Sequence, residues 1–221
     1  MCGRTALAVL ADVLIERFDA EPTEPIEPRY NIAPGDDLAV IRNESPDIID
    51  QLRWGLVPHW ADDPAIGNRL INARSETLAE KPSFRDAYAE RRCLVLVDGF
   101  YEWTERNGQK QPYRICKPDN APFALAGLWE NGRDVATTTI VTTDANDVVE
   151  PIHDRMPVIL PEEVETAWLE SGDEELLAPY HGDDLECYPI STLVNDPTND
   201  SPEIIEPVEV TRAQRGLDEF A

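Results

Sequence analysis

Met1-Cys2-Gly3-Arg4 opens the chain. Removal of Met1 would leave a cysteine with a free α-amine and a thiol on adjacent carbons, two nucleophiles able to attack one carbonyl carbon. The ordinary pKa values, about 7.7–8.0 for the amine and about 8.5 for the thiol, make a useful fraction of each reactive at neutral pH. An aldehyde meeting that residue gives an imine and then, by thiol attack, a five-membered thiazolidine. The alternative is a chance cysteine ahead of a buried strand. Further along, Asn72 and Arg74 stand two residues apart, so an extended segment presents an amide and a guanidinium side by side. Glu102 lies between Tyr101 and Trp103, where desolvation would raise its pKa toward general-acid use, unless it is an edge glutamate in water. His153, one of three histidines, sits two residues before Arg155, and is either a proton carrier or a structural hydrogen bonder.

The elements that must position these groups are mostly short strands. Residues 6–18 carry Leu7, Leu10, Val13, Leu14 and Phe18 at helical spacing and predict an amphipathic helix. Residues 20–29, rich in Pro and Glu, read as an extended loop. Strands are expected over residues 38–41, 48–54, 112–116, 123–129, 137–143 and 158–160. Residues 93–103 form the strongest strand pattern and should cross the middle of a sheet, with Cys93 as a buried small hydrophobe. In R-W-G-L-V-P-H-W, residues 53–60, Trp54 suits the core, whereas Trp60 starts a polar loop and is better placed to meet a ligand. Ser75 can cap a following helical stretch that carries Phe84, Arg85 and Tyr88. Pro161 should open a helix through Trp168, and a short one covers residues 173–177. Many short strands and few helices indicate an α+β fold on a curved, barrel-like, mainly antiparallel sheet.

A chain of 221 residues fits one domain with a proper core. Cys2, Cys93, Cys116 and Cys187 form no C-x-x-C pair, and neither a zinc site, a cofactor motif nor a disulfide framework is indicated. No apolar stretch is long enough to span a membrane, and the opening residues lack a signal-peptide pattern, so a cytoplasmic monomer is expected. The formal charge is −25, with 44 acidic against 19 basic residues, and only Lys81, Lys110 and Lys117 are lysines. An acid-rich, lysine-poor chain that keeps strong hydrophobic segments points to the solvated surface of a halophile, archaeal in source, or else to an acidic mesophilic protein.

Seven blocks then fall in one order: M-C-G-R at 1–4, Y-N-I-A-P-G at 30–35, W-G-L-V-P-H-W at 54–60, N-A-R-S-E-T at 72–77, D-G-F-Y-E-W at 98–103, A-G-L-W at 126–129 and H-D-R-M-P at 153–157. Together they resemble the SOS-response-associated peptidase (SRAP) family, the abasic-site-processing proteins, over residues 1–207. The resemblance implies a single domain whose groove binds single-stranded DNA. It also implies a mature Cys2 that captures the ring-opened aldehyde of an abasic site as a stable thiazolidine. On the matching positions, Asn72 orients the amine or the ring oxygen, and Glu102 and His153 move protons. Arg4, Arg74, Arg85 and Arg155 hold phosphates, and Trp60 or Trp103 stacks on or wedges beside an unpaired base. The family name adds autocatalytic removal of Met1, a peptidase label and a possible lyase activity.

Two other classes compete. Glutamine amidotransferases also begin Met-Cys-Gly and use the cysteine amine as base for its thiol, though this chain carries no second domain to consume ammonia. A non-covalent single-strand binder would hold an unmodified base as well as a lesion. Residues 208–221 form a tail in which Gln214, Leu217 and Phe220 match Q-x-x-L-x-x-F, a sliding-clamp-binding box that lacks its second aromatic at Ala221. A merely solvated tail is the alternative.

Overall fold

The apolar run at residues 93–97 has no polar face to turn outward, so it belongs in an interior strand. A computed structural model describes residues 2–106, 108–132 and 135–209. The strands are β1 (Thr5–Leu7), β2 (Glu21–Pro22), β3 (Arg29–Ile32), β4 (Asp37–Arg42), β5 (Ser45–Trp54), β6 (Asn72–Arg74) and β7 (Arg92–Val97). They continue with β8 (Gly99–Arg106), β9 (Gln109–Cys116), β10 (Phe123–Asn131), β11 (Ala136–Asp144), β12 (Arg155–Pro157), β13 (Ile159–Leu160) and β14 (Glu186–Pro189). Among the described residues three short α-helices accompany them: α1 (Ala11–Phe18), α2 (Arg85–Glu90) and α3 (Glu165–Glu170). The protein is a single α+β domain.

The larger sheet runs β12-β11-β10-β7-β4-β5-β2, and a parallel pairing of β11 with β5, Thr137 opposite Arg53 and Thr138 opposite Trp54, bends it into a ring. Closure pairs backbone that would otherwise be sheet edge and encloses one core, in which Val40, Trp54, Val95, Leu125 and Ile140 are fully buried or nearly so. Strand β7 lies near its middle, as the apolar run demands. Gly127 on β10 is required by packing, because a Cβ there would lie 2.7 Å from a Val95 methyl and 2.8 Å from the Cys93 sulfur.

Residues 93–103 do not form one strand. The chain leaves the large sheet at Val97 and enters a second one, ordered β14-β9-β8-β1-β3, at Gly99. Asp98 is the corner: its N–H donates to the Ala6 carbonyl at 3.0 Å, and its carboxylate accepts from the Ala8 N–H and from Arg114 Nη2 at 2.9 Å. Asp98 and Arg114 are both fully buried. Removing the carboxylate by Asp98→Ala leaves a buried guanidinium without its counter-charge, a loss of about 3–5 kcal/mol. The expected result is a lower urea midpoint with an unchanged m-value.

The amino-terminal helix also starts later than periodicity predicts. Residues 5–7 are strand because Thr5 pairs with both Ile32 and Phe100, and Ala6 pairs with Gly99, so two neighbouring strands outweigh the helical pattern. Within Ala11–Phe18 only Leu14 is fully buried, and Leu10 and Val13 face solvent. Ser75 opens a single 3₁₀ turn, Ser75–Thr77, rather than capping a helix, and α2 begins only at Arg85. After Pro161 a 3₁₀ turn, Glu162–Val164, precedes α3, and Glu174–Leu177 is likewise 3₁₀. Within 20–29 the extended chain makes two brief pairings, through β2 and the start of β3.

Candidate active site at the amino-terminal cysteine

Cys2 reaches its neighbours through β1. The antiparallel register of Thr5 opposite Phe100 is continued by the Tyr101 N–H donating to the Arg4 carbonyl at 3.0 Å, which runs residues 2–4 along β8 toward Glu102. Asn72 arrives from another part of the chain. It opens β6, pairs with Ile140 of β11, and its Nδ2 donates to the Cys2 carbonyl at 2.7 Å. Its Oδ1 is buried with no hydrogen-bond partner.

The electrostatics follow from burial. Cys2 is fully buried, and desolvation, reinforced by the negative charge of Glu102, holds its thiol protonated far above the ordinary range. The ready thiolate expected of an exposed cysteine is therefore absent in this state. Glu102 is 2 % exposed rather than an edge residue in water, and desolvation pushes it up to about 7, the positive amine of Met1 offsetting part of the rise. His153 is lowered, first by desolvation and then by the same amine. The Arg155 N–H donates to His153 Nδ1 at 3.0 Å, which requires a neutral ring with its proton on Nε2. Asp154 Oδ1 is also 3.0 Å from Nδ1, but that carboxylate is largely in water and the lowered pKa agrees with the backbone bond. Cys2, Asn72, Glu102 and His153 thus come together around the amino terminus, from both sheets, although they are spread along the sequence. Loss of the amide by Asn72→Ala should cost about 1 kcal/mol of stability and slow any reaction at Cys2 by about 10–100-fold, since the carbonyl that orients the residue is released. Denaturant titration and single-turnover kinetics separate the two effects.

Residues 1–197 match the family described as SOS response associated peptidase (SRAP). The chain belongs to this family. It is similar to "Abasic site processing protein YoqW" of Bacillus subtilis (strain 168), 45% identical over 222 residues that cover 93% of this chain and 99% of that one. "Abasic site processing protein YedK" of Escherichia coli (strain K12) is 32% identical over 94% of this chain and 100% of its own. A crystal structure of a protein from Bacteroides thetaiotaomicron superposes with a TM-score of 0.85 at 26% identity, covering 94% of this chain and 100% of that one.

Around the SRAP centre the expected DNA contacts occupy different settings. Arg4 Nη1 donates to Asn31 Oδ1 at 2.5 Å and to the Val194 carbonyl at 2.6 Å, tying the amino-terminal strand to the segment after β14. Arg74 is exposed at the end of β6. Arg155, on β12, is enclosed by Glu76 and Asp144. Arg85 is exposed on α2 beside Asp86, 3.1 Å away. Trp60 is 49% exposed in a cleft of about 530 Å³ that also holds Asp62, Asp63 and Arg69, and its indole donates to the Pro82 carbonyl at 3.3 Å. Trp103 is half-buried and donates to Asn195 Oδ1 at 2.7 Å. The clamp-box residues Gln214, Leu217 and Phe220 lie outside the described residues.

Three participants escaped the sequence reading. Asn31, fully buried, holds Arg4 and donates to the carbonyls of Asp196 and Asn199 at 3.0 and 2.7 Å. Its signal was an amide inside Y-N-I-A-P-G, a block that carried the resemblance but was given no residue role. Glu76 lies two residues past Arg74 in N-A-R-S-E-T, and Asp144 ends β11; neither had a sequence partner to mark it. Among the described residues no group of His, Cys, Asp or Glu side chains is placed to hold a metal ion, and no helix is long and apolar enough to cross a membrane.

Proposed function

We propose that the protein captures abasic sites in single-stranded DNA as a thiazolidine on Cys2, once Met1 has been removed. The α-amine adds to the aldehyde carbon, the resulting hydroxyl takes a proton and leaves as water, and the thiol adds across the C=N bond while nitrogen gains a proton. One water is lost in all. Glu102 exchanges protons with the thiol, since it is the carboxylate whose charge the sulfur feels and, near pH 7, both of its forms are populated. Neutral His153, partly exposed, serves the oxygen side, and Asn72 holds the Cys2 carbonyl and keeps an unused acceptor, Oδ1, for the amine. The imine formed before ring closure would also permit strand scission, the lyase outcome.

The observation that carries this reading is the meeting of an amino-terminal thiol with a buried carboxylate poised near neutrality, in a chain whose relatives are named abasic site processing proteins. The net charge of −25 favours covalent capture over affinity. Four phosphate contacts on a single strand would lose ~600-fold in affinity for each tenfold rise in salt, whereas a covalent bond is not screened.

The test is an intact mass after incubation with abasic single-stranded DNA. The expected product is protein plus DNA less one water, with no stable product from Cys2→Ala or from protein that retains Met1. Ammonia released from glutamine without a DNA adduct would establish the amidohydrolase instead.

A further inference from the structure

The guanidinium of Arg155 is almost covered, its side chain 11% exposed, and the groups that cover it are carboxylates at the surface, Glu76 at 49% and Asp144 at 79% exposed. Nη1 donates to Glu76 Oε1 and, at 2.8 Å, to Asp144 Oδ1. Nη2 donates to Glu76 Oε2 at 3.1 Å and to the Thr142 carbonyl at 2.8 Å. Each Nη has two hydrogens, so both are fully used. Nε is buried and has no acceptor. Arg74 acts electrostatically on the same Glu76. Two arginines and two carboxylates therefore form a cluster with no net charge.

The cluster stands beside the Cys2 site. Across β11, Ile140 pairs with Asn72, Thr142 with Arg74 and with Pro157, and Asp144 with Arg155, so these positions share one face of the sheet. A DNA strand whose lesion reaches Cys2 meets the two carboxylates before it meets Arg155. As the cluster stands, a phosphate that approaches Arg155 finds two carboxylates and no free N–H on either Nη.

We propose that Asp144 is a displaceable cap on Arg155, and that a DNA phosphate takes its place at Nη1. Glu76 remains, because it grips both nitrogens in a bidentate pair and is itself held ionised by Arg155. Asp144 makes one contact from a largely solvated position, the kind of pair that contributes least. Binding at this point is thus an exchange of one anion for another, and it disfavours strands that are not already anchored nearby. The inference rests on the DNA reading above.

The experiment measures Kd for a single strand carrying a non-reactive tetrahydrofuran abasic analogue, by fluorescence anisotropy, for wild type, Asp144→Asn, Arg155→Gln and the double variant. Asp144→Asn is expected to tighten binding by about 3–10-fold, and in the Arg155→Gln background the gain should fall below about twofold. An unchanged or weakened Kd for Asp144→Asn overturns the proposal, and so does an equal gain in the Arg155→Gln background, which would reduce the effect to overall charge. Because the analogue cannot form an adduct, this outcome is independent of whether abasic DNA becomes cross-linked to Cys2. A wild-type protein that shows no adduct in the mass experiment defeats the capture reading instead.

Discussion

Cys2→Ser, processed to expose its amine, yields with abasic single-stranded DNA an imine that borohydride traps and that denaturation or mild acid reverses, whereas the wild-type adduct survives both. The expected loss of denaturant-stable product is essentially complete. The reason is geometric. A thiol on the carbon next to the amine confronts the imine at an effective concentration of about 10⁵ M or more, which no thiol in solution can replace. A serine hydroxyl in the same place is a far weaker nucleophile and remains protonated. Denaturing gels run with and without borohydride read both species. A stable adduct from the serine variant would place bond formation on another residue and end the thiazolidine proposal.

Glu102→Gln is expected to slow capture by about 10²–10⁴-fold, the usual range for loss of a positioned proton carrier. The wild-type rate should show a limb with its midpoint at the pKa of Glu102, about 7, and the variant should lack it. Stability should move the other way. Folding lifts this carboxyl from 4.5 to about 7, so the folded state binds its proton more tightly than the unfolded state. The stabilisation is fully present below about pH 4.5 and is lost as the pH rises to about 7. Above that the buried charge costs about 3 kcal/mol, which glutamine removes. At pH 8 the variant should melt several degrees higher than wild type, at about 2–4 °C per kcal/mol, with the gap closing toward pH 4.5. Equal melting temperatures at both pH values, together with full activity, would show that Glu102 neither bears a raised pKa nor moves the proton.

The two expectations have different origins. The first was legible from Met1-Cys2 alone, because adjacency of amine and thiol is covalent. The second was only half legible: Tyr101 and Trp103 flanking Glu102 suggested desolvation, but Trp103 is only half-buried, and the 2 % exposure of Glu102 is set by groups from elsewhere in the chain, Cys2 among its neighbours. His153 was left open between a structural and a chemical role. The backbone bond from Arg155 and the influence of the amine describe its state, and neither can be inferred from I-H-D-R-M-P. The arginines show the limit most clearly. Arg4 and Arg155 were expected to hold phosphates, yet one is tied to Asn31 and Val194 and the other lies beneath two carboxylates.

What the sequence by itself determined was whatever depends on local order. The apolar runs at 93–97 and 123–129 and the β-branched run at 137–143 specify strands, Trp54 goes to the core, and seven ordered blocks name the family. Only the tertiary structure decided that residues 5–7 leave the helical pattern for a place between two strands, and that residues 93–103 break at Asp98 to serve two sheets. It also decided that Asn72 reaches the Cys2 carbonyl and that the Cys2 thiol is held protonated. Strand pairing, desolvation and ion pairing are set by neighbours that are near in space and distant in the chain, and spacing along the sequence carries no record of them.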